Sequence, residues 1–310
     1  MKRGRIVGGI VWLAPLLLSV AGCGGTEDDG GPRQALIVVS PHPDDESISG
    51  GGTIHRIASD PDWYVHALYV SGGDRATVPG DCNGIPEDRK TEMIVQLRER
   101  ETRDAWGVLA PTRDVLIDFL RGPDQGLVAS STIIDGIRQD VLSPEGTSVV
   151  ERGLPIATQV PSSVRSALFL TAAIYDAHPD HRVAYRVARQ AAEQLRRERH
   201  LEVRIWSWIV HDEASLVDLP ICCAGDLHWP SPGPTNDYLA LTDIPARPRP
   251  PMWNHVEPVG DLTAVRQNAL AQHVSQLIGY PPLCMRVYNP AFYTRWTDKI
   301  EEPFYEEIIE

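Results

Sequence analysis

The sequence predicts an α/β fold: a mostly parallel sheet with helices on both faces, followed by an irregular C-terminal extension. Two observations carry this. Apolar, β-branched runs of strand length alternate with amphipathic runs of helix length, the pattern of a parallel sheet covered on both sides. Two of the apolar runs then stop abruptly at polar segments of similar make. One is Pro41-His42-Pro43-Asp44-Asp45-Glu46, and the other is His178-Pro179-Asp180-His181. In such sheets ligands bind beyond the carboxyl ends of the strands, so both segments belong at one edge.

Taken in order, residues 35–39 have the length and composition of a buried strand. Residues 46–59 read as a helix, with Gly50-Gly51-Gly52 near its start allowing close backbone approach. A second strand over 64–71 ends in Gly72-Gly73-Asp74, and a polar loop runs on to about Asp88. Residues 91–109 form a helix with Ile94, Leu97 and Ala105 on one side. A third strand covers 115–120, and 131–142 reads as a further helix. Segment 144–163 is poorly patterned. A strongly apolar fourth strand over 167–174, an amphipathic helix over 183–197 and a strand over 203–210 complete the regular part, with Trp206 and Trp208 in the core. Residues 211–260, rich in proline, are a candidate lid or rim; 261–277 is the final helix, and the acidic tail after Lys299 is expected at the surface.

Composition bounds the function. The chain has 310 residues, 42% hydrophobic and 23% charged, as a globular protein does, and its net charge of -13 argues against a nucleic-acid partner. Lys2, Arg3 and Arg5 precede an apolar run over 6–20 that meets Ala21-Gly22-Cys23, the layout of a secretory signal over residues 1–22. The Val20-Ala21-Gly22-Cys23 ending resembles the lipobox of bacterial lipoproteins, which implies acylation of Cys23, a lipid anchor in the membrane and an exported location. Residues 23–34 then read as a flexible tether ahead of one domain over 35–310. Cys82, Cys222, Cys223 and Cys284 remain, an even number that permits disulfides in three pairings. A zinc knuckle is the rival reading, but no Cys-x-x-Cys spacing occurs.

The two polar segments carry the chemistry. His42, Asp45 and His181 supply two nitrogen ligands and one oxygen ligand, the open three-ligand set of hydrolytic zinc. The fourth position is left for water, and the neighbouring Asp44 is placed to take its proton. Together the segments resemble the LmbE/PIG-L family of zinc-dependent N-deacetylases. Val70-Ser71-Gly72-Gly73-Asp74, Arg98-x-x-Glu101, Asp124-Gln125-Gly126-Leu127 and His273-Val274-Ser275-Gln276 are similar to further segments of that family.

The resemblance implies a Rossmann-like fold and hydrolysis of an acetamido group on an amino sugar or glycan. By the same resemblance His42, Asp45 and His181 bind Zn2+, and Asp44 is the general base. His178 stabilises the oxyanion or protonates the leaving amine while Asp180 orients its ring, and Arg98 and Asp124 contact the sugar. Some relatives carry Tyr two residues before the first His of the second motif. Here Asp176 stands there and Tyr175 lies one earlier, so that role is unassigned. Two other functions fit the sequence less well: a cell-surface glycan-binding protein that has lost hydrolysis, and a metal phosphoesterase. The first is disfavoured by the full set of motif carboxylates and histidines, the second by the lack of a second carboxylate-rich metal site.

Overall fold

A computed structural model describes residues 31–75, 80–134, 137–176, 178–210, 255–277, 280–285 and 301–310. Its centre is a seven-stranded sheet in the order β3-β2-β1-β6-β7-β9-β8. The strands are β1 (Gln34–Ser40), β2 (Trp63–Ser71), β3 (Leu116–Gly122), β6 (Ser166–Ala172), β7 (Glu202–Trp208), β8 (His255–Pro258) and β9 (Glu301–Ile309). The first five run parallel; β9 pairs antiparallel with both β7 and β8. A separate antiparallel pair is formed by β4 (Val128–Ile134) and β5 (Ile137–Leu142). The expected mostly parallel α/β fold is thus the observed one.

Strand β1 shows why both faces must be covered. Its side chains alternate between two cores, Ala35, Ile37 and Val39 in one and Leu36 and Val38 in the other. The first face is closed by α4 (Pro144–Ala157) and α5 (Pro179–Arg199). The second is closed by α2 (Gly51–Ala58), α3 (Glu87–Leu109) and α6 (Thr263–Leu270). After β1 the chain builds outward to β2 and β3, then returns to place β6 on the other flank of β1. That reversal opens a crevice at the carboxyl ends of β1 and β6. Val39 pairs with Thr171, so the loops that follow the two strands leave the sheet side by side.

Five expectations need correction. Residues 131–134 and 137–142 lie in the β4–β5 pair rather than in a helix; in sequence, an Asp-Gly dipeptide between two strand-length runs is a hairpin signal. The poorly patterned stretch instead carries α4, whose start is marked by Ser143 accepting from Gly146 N at 2.9 Å and by Pro144 in the first turn. The helix expected over 46–59 is two, α1 (Asp45–Ser49) and α2, parted at Gly50; that over 261–277 is likewise a short 3-10 turn, α6 and α7 (Val274–Leu277). The acidic tail is the buried-faced strand β9, with Phe304 fully enclosed and Glu302 1% exposed.

Trp208 is buried, and Trp206 is half-buried, stacked on His255 at 3.8 Å. Of the cysteines, Cys82 and Cys284 are joined by a disulfide. The signal segment, Cys23, most of the tether, Cys222, Cys223 and nearly all of the candidate lid lie outside the described residues; the chain is already tied to the sheet edge by Arg33 N–H, which donates to Asp62 at 3.0 Å. Among the described residues no helix is long and apolar enough to cross a membrane.

Candidate active site

Beyond β1, Ser40 Oγ donates to the His42 carbonyl at 3.0 Å and to Glu46 Oε2 at 3.2 Å, curling residues 41–44 back over the strand end. The His42 N–H donates to Asp45 Oδ2 at 3.0 Å, so ring and carboxylate are held together from the start. Beyond β6, His178 occupies the cap of α5 and accepts the Asp180 N–H on Nδ1 at 3.3 Å, while Pro179 pre-forms the first helical turn. Both loops are therefore shaped by their own motif residues.

The two loops meet on one oxygen. Asp45 Oδ2 lies 3.1 Å from His42 Nδ1 and 3.3 Å from His181 Nε2. Each ring turns its other nitrogen to a further carboxylate: His42 Nε2 to Asp180 Oδ2 at 3.3 Å and to Asp124 Oδ1 at 3.5 Å, His181 Nδ1 to Asp176 Oδ2 at 3.0 Å. The His178 ring completes the cluster, edge-on to His42 at 4.7 Å and 5.1 Å from His181. Donor atoms of His42, His178 and His181 lie within 4.8 Å of one another, as do those of His42, Asp124, His178 and Asp180.

These donors suit a divalent metal ion such as zinc; Asp45 stands outside both groups but bridges His42 and His181. Tetrahedral N and O ligands 2.0–2.1 Å from the ion sit about 3.3 Å from each other, close to the spacings around Asp45 Oδ2. Asp180 Oδ1, fully buried, has no hydrogen-bond partner among the described residues, as a centre arranged for a further positive charge or donor requires.

Burial and charge act strongly here. Burial pushes the Asp44 carboxyl well above the usual carboxylate range, against the Arg98 charge and aided by Asp45. Burial acts the same way on Asp45, but the His181 and His42 rings overcome it and hold that carboxyl well below its usual range. Burial alone would lower His181, yet the Asp176 and Asp45 carboxylates raise it to about 9. His42 is raised in the same way, with Asp124 the largest of the groups that outweigh burial.

Beneath the loops, further polar side chains hold their backbone and Asp44 in place. Arg98, 4% exposed, donates to Gly73 O at 2.6 Å, Pro43 O at 2.7 Å and Gln276 Oε1 at 2.9 Å, and lies 3.4 Å from Asp44 Oδ1. One turn on, Glu101 accepts the Ser275 hydroxyl at 2.6 Å and its N–H at 2.7 Å. His273 Nε2 is 3.4 Å from Ser47 Oγ. The short helix α7 and its preceding turn thus tie α3 to the loop of His42.

Residues 37–192 match the model of the family described as PIG-L: GlcNAc-PI de-N-acetylase. The chain belongs to the PIG-L family. A similar relative is the 1D-myo-inositol 2-acetamido-2-deoxy-alpha-D-glucopyranoside deacetylase of Rhodococcus opacus strain B4, 28% identical over 80% of this chain and 84% of that protein. Among solved structures, the N,N'-diacetylchitobiose deacetylase of Pyrococcus horikoshii is 16% identical over 89% of this chain and 84% of that one, with a TM-score of 0.47. The 4-carboxy-2-hydroxymuconate hydratase GalB of Pseudomonas putida is 15% identical over 85% and 83%, also at 0.47. Likeness at that level does not decide the reaction.

In this PIG-L chain all eight site residues expected in the domain fall around one crevice. His42, Asp45 and His181 converge on a single oxygen, with Asp44 beside them. His178 borders both imidazoles. The Asp180 carboxylate faces His42 and accepts the Gln125 N–H at 2.8 Å, while its own N–H reaches His178, so it steadies two rings. Asp124 sits between His42 and His178, its Oδ2 accepting from Arg75 N at 3.2 Å and its N–H donating to Asp74 at 3.0 Å. The Arg98 guanidinium, expected to face a sugar, is turned to backbone carbonyls and Asp44. Asp176 and Gln276, to which the sequence alone assigns no role, also take part in the site; their positions beside or inside a motif are the signal.

Proposed function

We propose that the protein is an exported, zinc-dependent hydrolase that removes the acetyl group from the nitrogen of an amino sugar or glycoconjugate. Membership of the PIG-L family supports the reaction, and the relative named as a deacetylase of an acetamido sugar supports the substrate class. The observation that carries the reading is the convergence of two distant loops on Asp45 Oδ2, with spacings suited to a tetrahedral ion.

His42, Asp45 and His181 are the residues that would hold the metal. When bound, zinc supplies a Lewis acid and makes water more acidic near neutral pH. Asp44, adjacent to Asp45 and held beside Arg98 at 3.4 Å, accepts the proton of the attacking water. The water oxygen bonds to the acyl carbon, the C–N bond breaks, and the proton passes to the amine nitrogen. With its Nδ1 engaged by the Asp180 N–H, the His178 ring offers Nε2 as donor to the developing oxyanion or the leaving amine. Asp124, beside both imidazoles, is assigned to a sugar hydroxyl. Arg98 is assigned to holding Asp44.

The decisive experiment pairs zinc content with acetate release over a panel of acetamido sugars. We expect one zinc per chain, lost in His42→Ala and His181→Ala, and at least a hundredfold loss of acetate release in Asp44→Asn with zinc retained. An Asp44→Asn protein of undiminished rate would remove Asp44 as the base.

Export is supported by the signal-like start and by the Cys82–Cys284 bridge, which suits an oxidising compartment. Cys23 is the proposed lipid attachment. Cys23→Ala should move the protein from the membrane to the soluble fraction, and retention there would remove the anchor.

A further inference from the structure

Resting on that reading of the site, we propose that Asp176 is a positioning residue that fixes the ring of His181 for the metal and joins the ligand loop to the end of β7. Asp176 is 1% exposed. Its Oδ1 accepts the His178 N–H at 2.9 Å, and its Oδ2 accepts the Val210 N–H at 2.9 Å. The same Oδ2 lies 3.0 Å from His181 Nδ1. Its own N–H donates to Ala173 at 3.0 Å, and Arg182 donates to its carbonyl at 2.9 Å. The carboxylate is therefore set in place by backbone groups from two strand ends before it meets the ring.

The consequence concerns which nitrogen of His181 carries hydrogen. A carboxylate whose oxygens already receive two N–H groups can only accept from the ring, so Nδ1 donates to it. That leaves Nε2, on the Asp45 side, with its lone pair directed into the centre. An amide cannot reproduce this. If the oxygen of Asn at 176 faces Val210 and His181, its NH2 opposes the His178 N–H. If the amide is flipped, its NH2 opposes the Val210 N–H and faces Nδ1, which favours the other tautomer and places hydrogen on Nε2. A plain loop-stabilising role would respond to Asp176→Asn through folding alone; a positioning role responds through the metal.

The test measures zinc affinity by chelator competition, and the melting temperature of the metal-free form, for the full chain and for D176N and H181A. D176N is expected to bind zinc 10–100-fold more weakly than wild type, with a metal-free melting temperature near wild type, and H181A more weakly still. In zinc-loaded wild type, nitrogen-15 spectra of the histidine rings should show His181 protonated at Nδ1. D176N affinity within twofold of wild type, with binding lost in H181A, overturns the role of Asp176 and leaves the site reading intact. A His181 ring protonated at Nε2 in the wild type also overturns it, whether or not D176N folds. A wild type that binds no zinc, or H181A that binds as wild type does, overturns the site reading and this inference with it.

Discussion

Gln276 and Pro43 lie 233 positions apart, yet the Gln276 side-chain amide donates to the Pro43 carbonyl at 2.9 Å. Arg98 donates to the same oxygen at 2.7 Å and is itself bonded to Gln276. The clamped peptide is the one that leads into Asp44, whose backbone sits at φ 134° and ψ -28°. Such a conformation costs a residue with a Cβ about 1–3 kcal/mol and persists only where the surroundings over-determine it. The strain is stored on the proposed base, and the clamp offsets it.

That arrangement sets a stability order. Asp44→Gly should be more stable than Asp44→Ala by about 1–2 kcal/mol, because glycine adopts this backbone conformation without the strain a Cβ brings. Both variants should lose acetate release. Urea denaturation of the pair measures the difference directly; equal midpoints would mean that the backbone at 44 carries no strain.

His273 provides a pH-dependent test. It is fully enclosed, 3.9 Å from Glu46, and burial followed by the Arg98 charge pushes its pKa down to about 3, against the opposing effect of Asp45. A depressed histidine favours the folded state above its unfolded pKa of about 6.5. The advantage is lost as pH falls from there towards 3, reaching about 2 kcal/mol by pH 5. Glu46, raised by burial to about 7, titrates with the opposite sign: its contribution is intact below the usual carboxylate pKa and lost as pH rises through 7. Comparing wild type with His273→Gln cancels that term. The gap between their urea stabilities should move by about 2 kcal/mol in favour of the variant between pH 7 and pH 5; parallel curves would contradict a neutral buried ring.

The Cys82–Cys284 bridge spans 202 positions and fastens residues 280–285 to the loop before α3. Around it Ile94, Leu283 and Met285 form a small core of their own with Ile85 and Leu97. Seven residues upstream of Cys284 the chain leaves α7, which carries Ser275 and Gln276. Closing so long a loop is worth about 3–5 kcal/mol in chain entropy. The Cys82→Ser, Cys284→Ser double variant should lose that stability and also acetate release, because the segment following the Gln276 clamp is no longer tethered. Wild type in reductant should match it; a reduced protein with full stability would place the bridge outside the folding energetics.

Much of this was legible in one dimension. Strands β1, β2, β6 and β7 are apolar runs long enough to be read alone, and the two His-Pro-Asp segments announce themselves through side chains that a plain turn does not need. Where the signal lay in partners, the sequence was silent. Arg98-x-x-Glu101 is recognisable as a motif, but nothing local tells that its guanidinium turns inward to Pro43 O. The 131–142 stretch suits a helix as well as a strand in sequence, because apolar positions in a short run fit either period. Asp176 is noticeable by its place before the second motif, but its task shows only once Val210 and His181 are brought to it.

Glu302 was the hardest of all, a carboxylate in an acidic tail that proves to be buried. It accepts the Gly52 and Thr53 N–H groups at 2.9 and 2.8 Å, at the first turn of α2, where unpaired N–H groups favour an anion. Arg266 Nε lies 2.9 Å from its Oε1. A Cβ on Gly52 would stand 2.7 Å from Val259 and 3.2 Å from that same oxygen, so only glycine lets the carboxylate dock. Glu302→Ala leaves the Arg266 charge buried without its partner, and breaking such a pair costs about 3–5 kcal/mol. Adding Arg266→Leu to Glu302→Ala should therefore recover part of the loss, since the stranded charge is removed with it. Urea unfolding of the two singles and the double gives the coupling. If the two losses simply add, the ion pair contributes nothing to holding strand β9, which then rests on its pairing to β7 and β8.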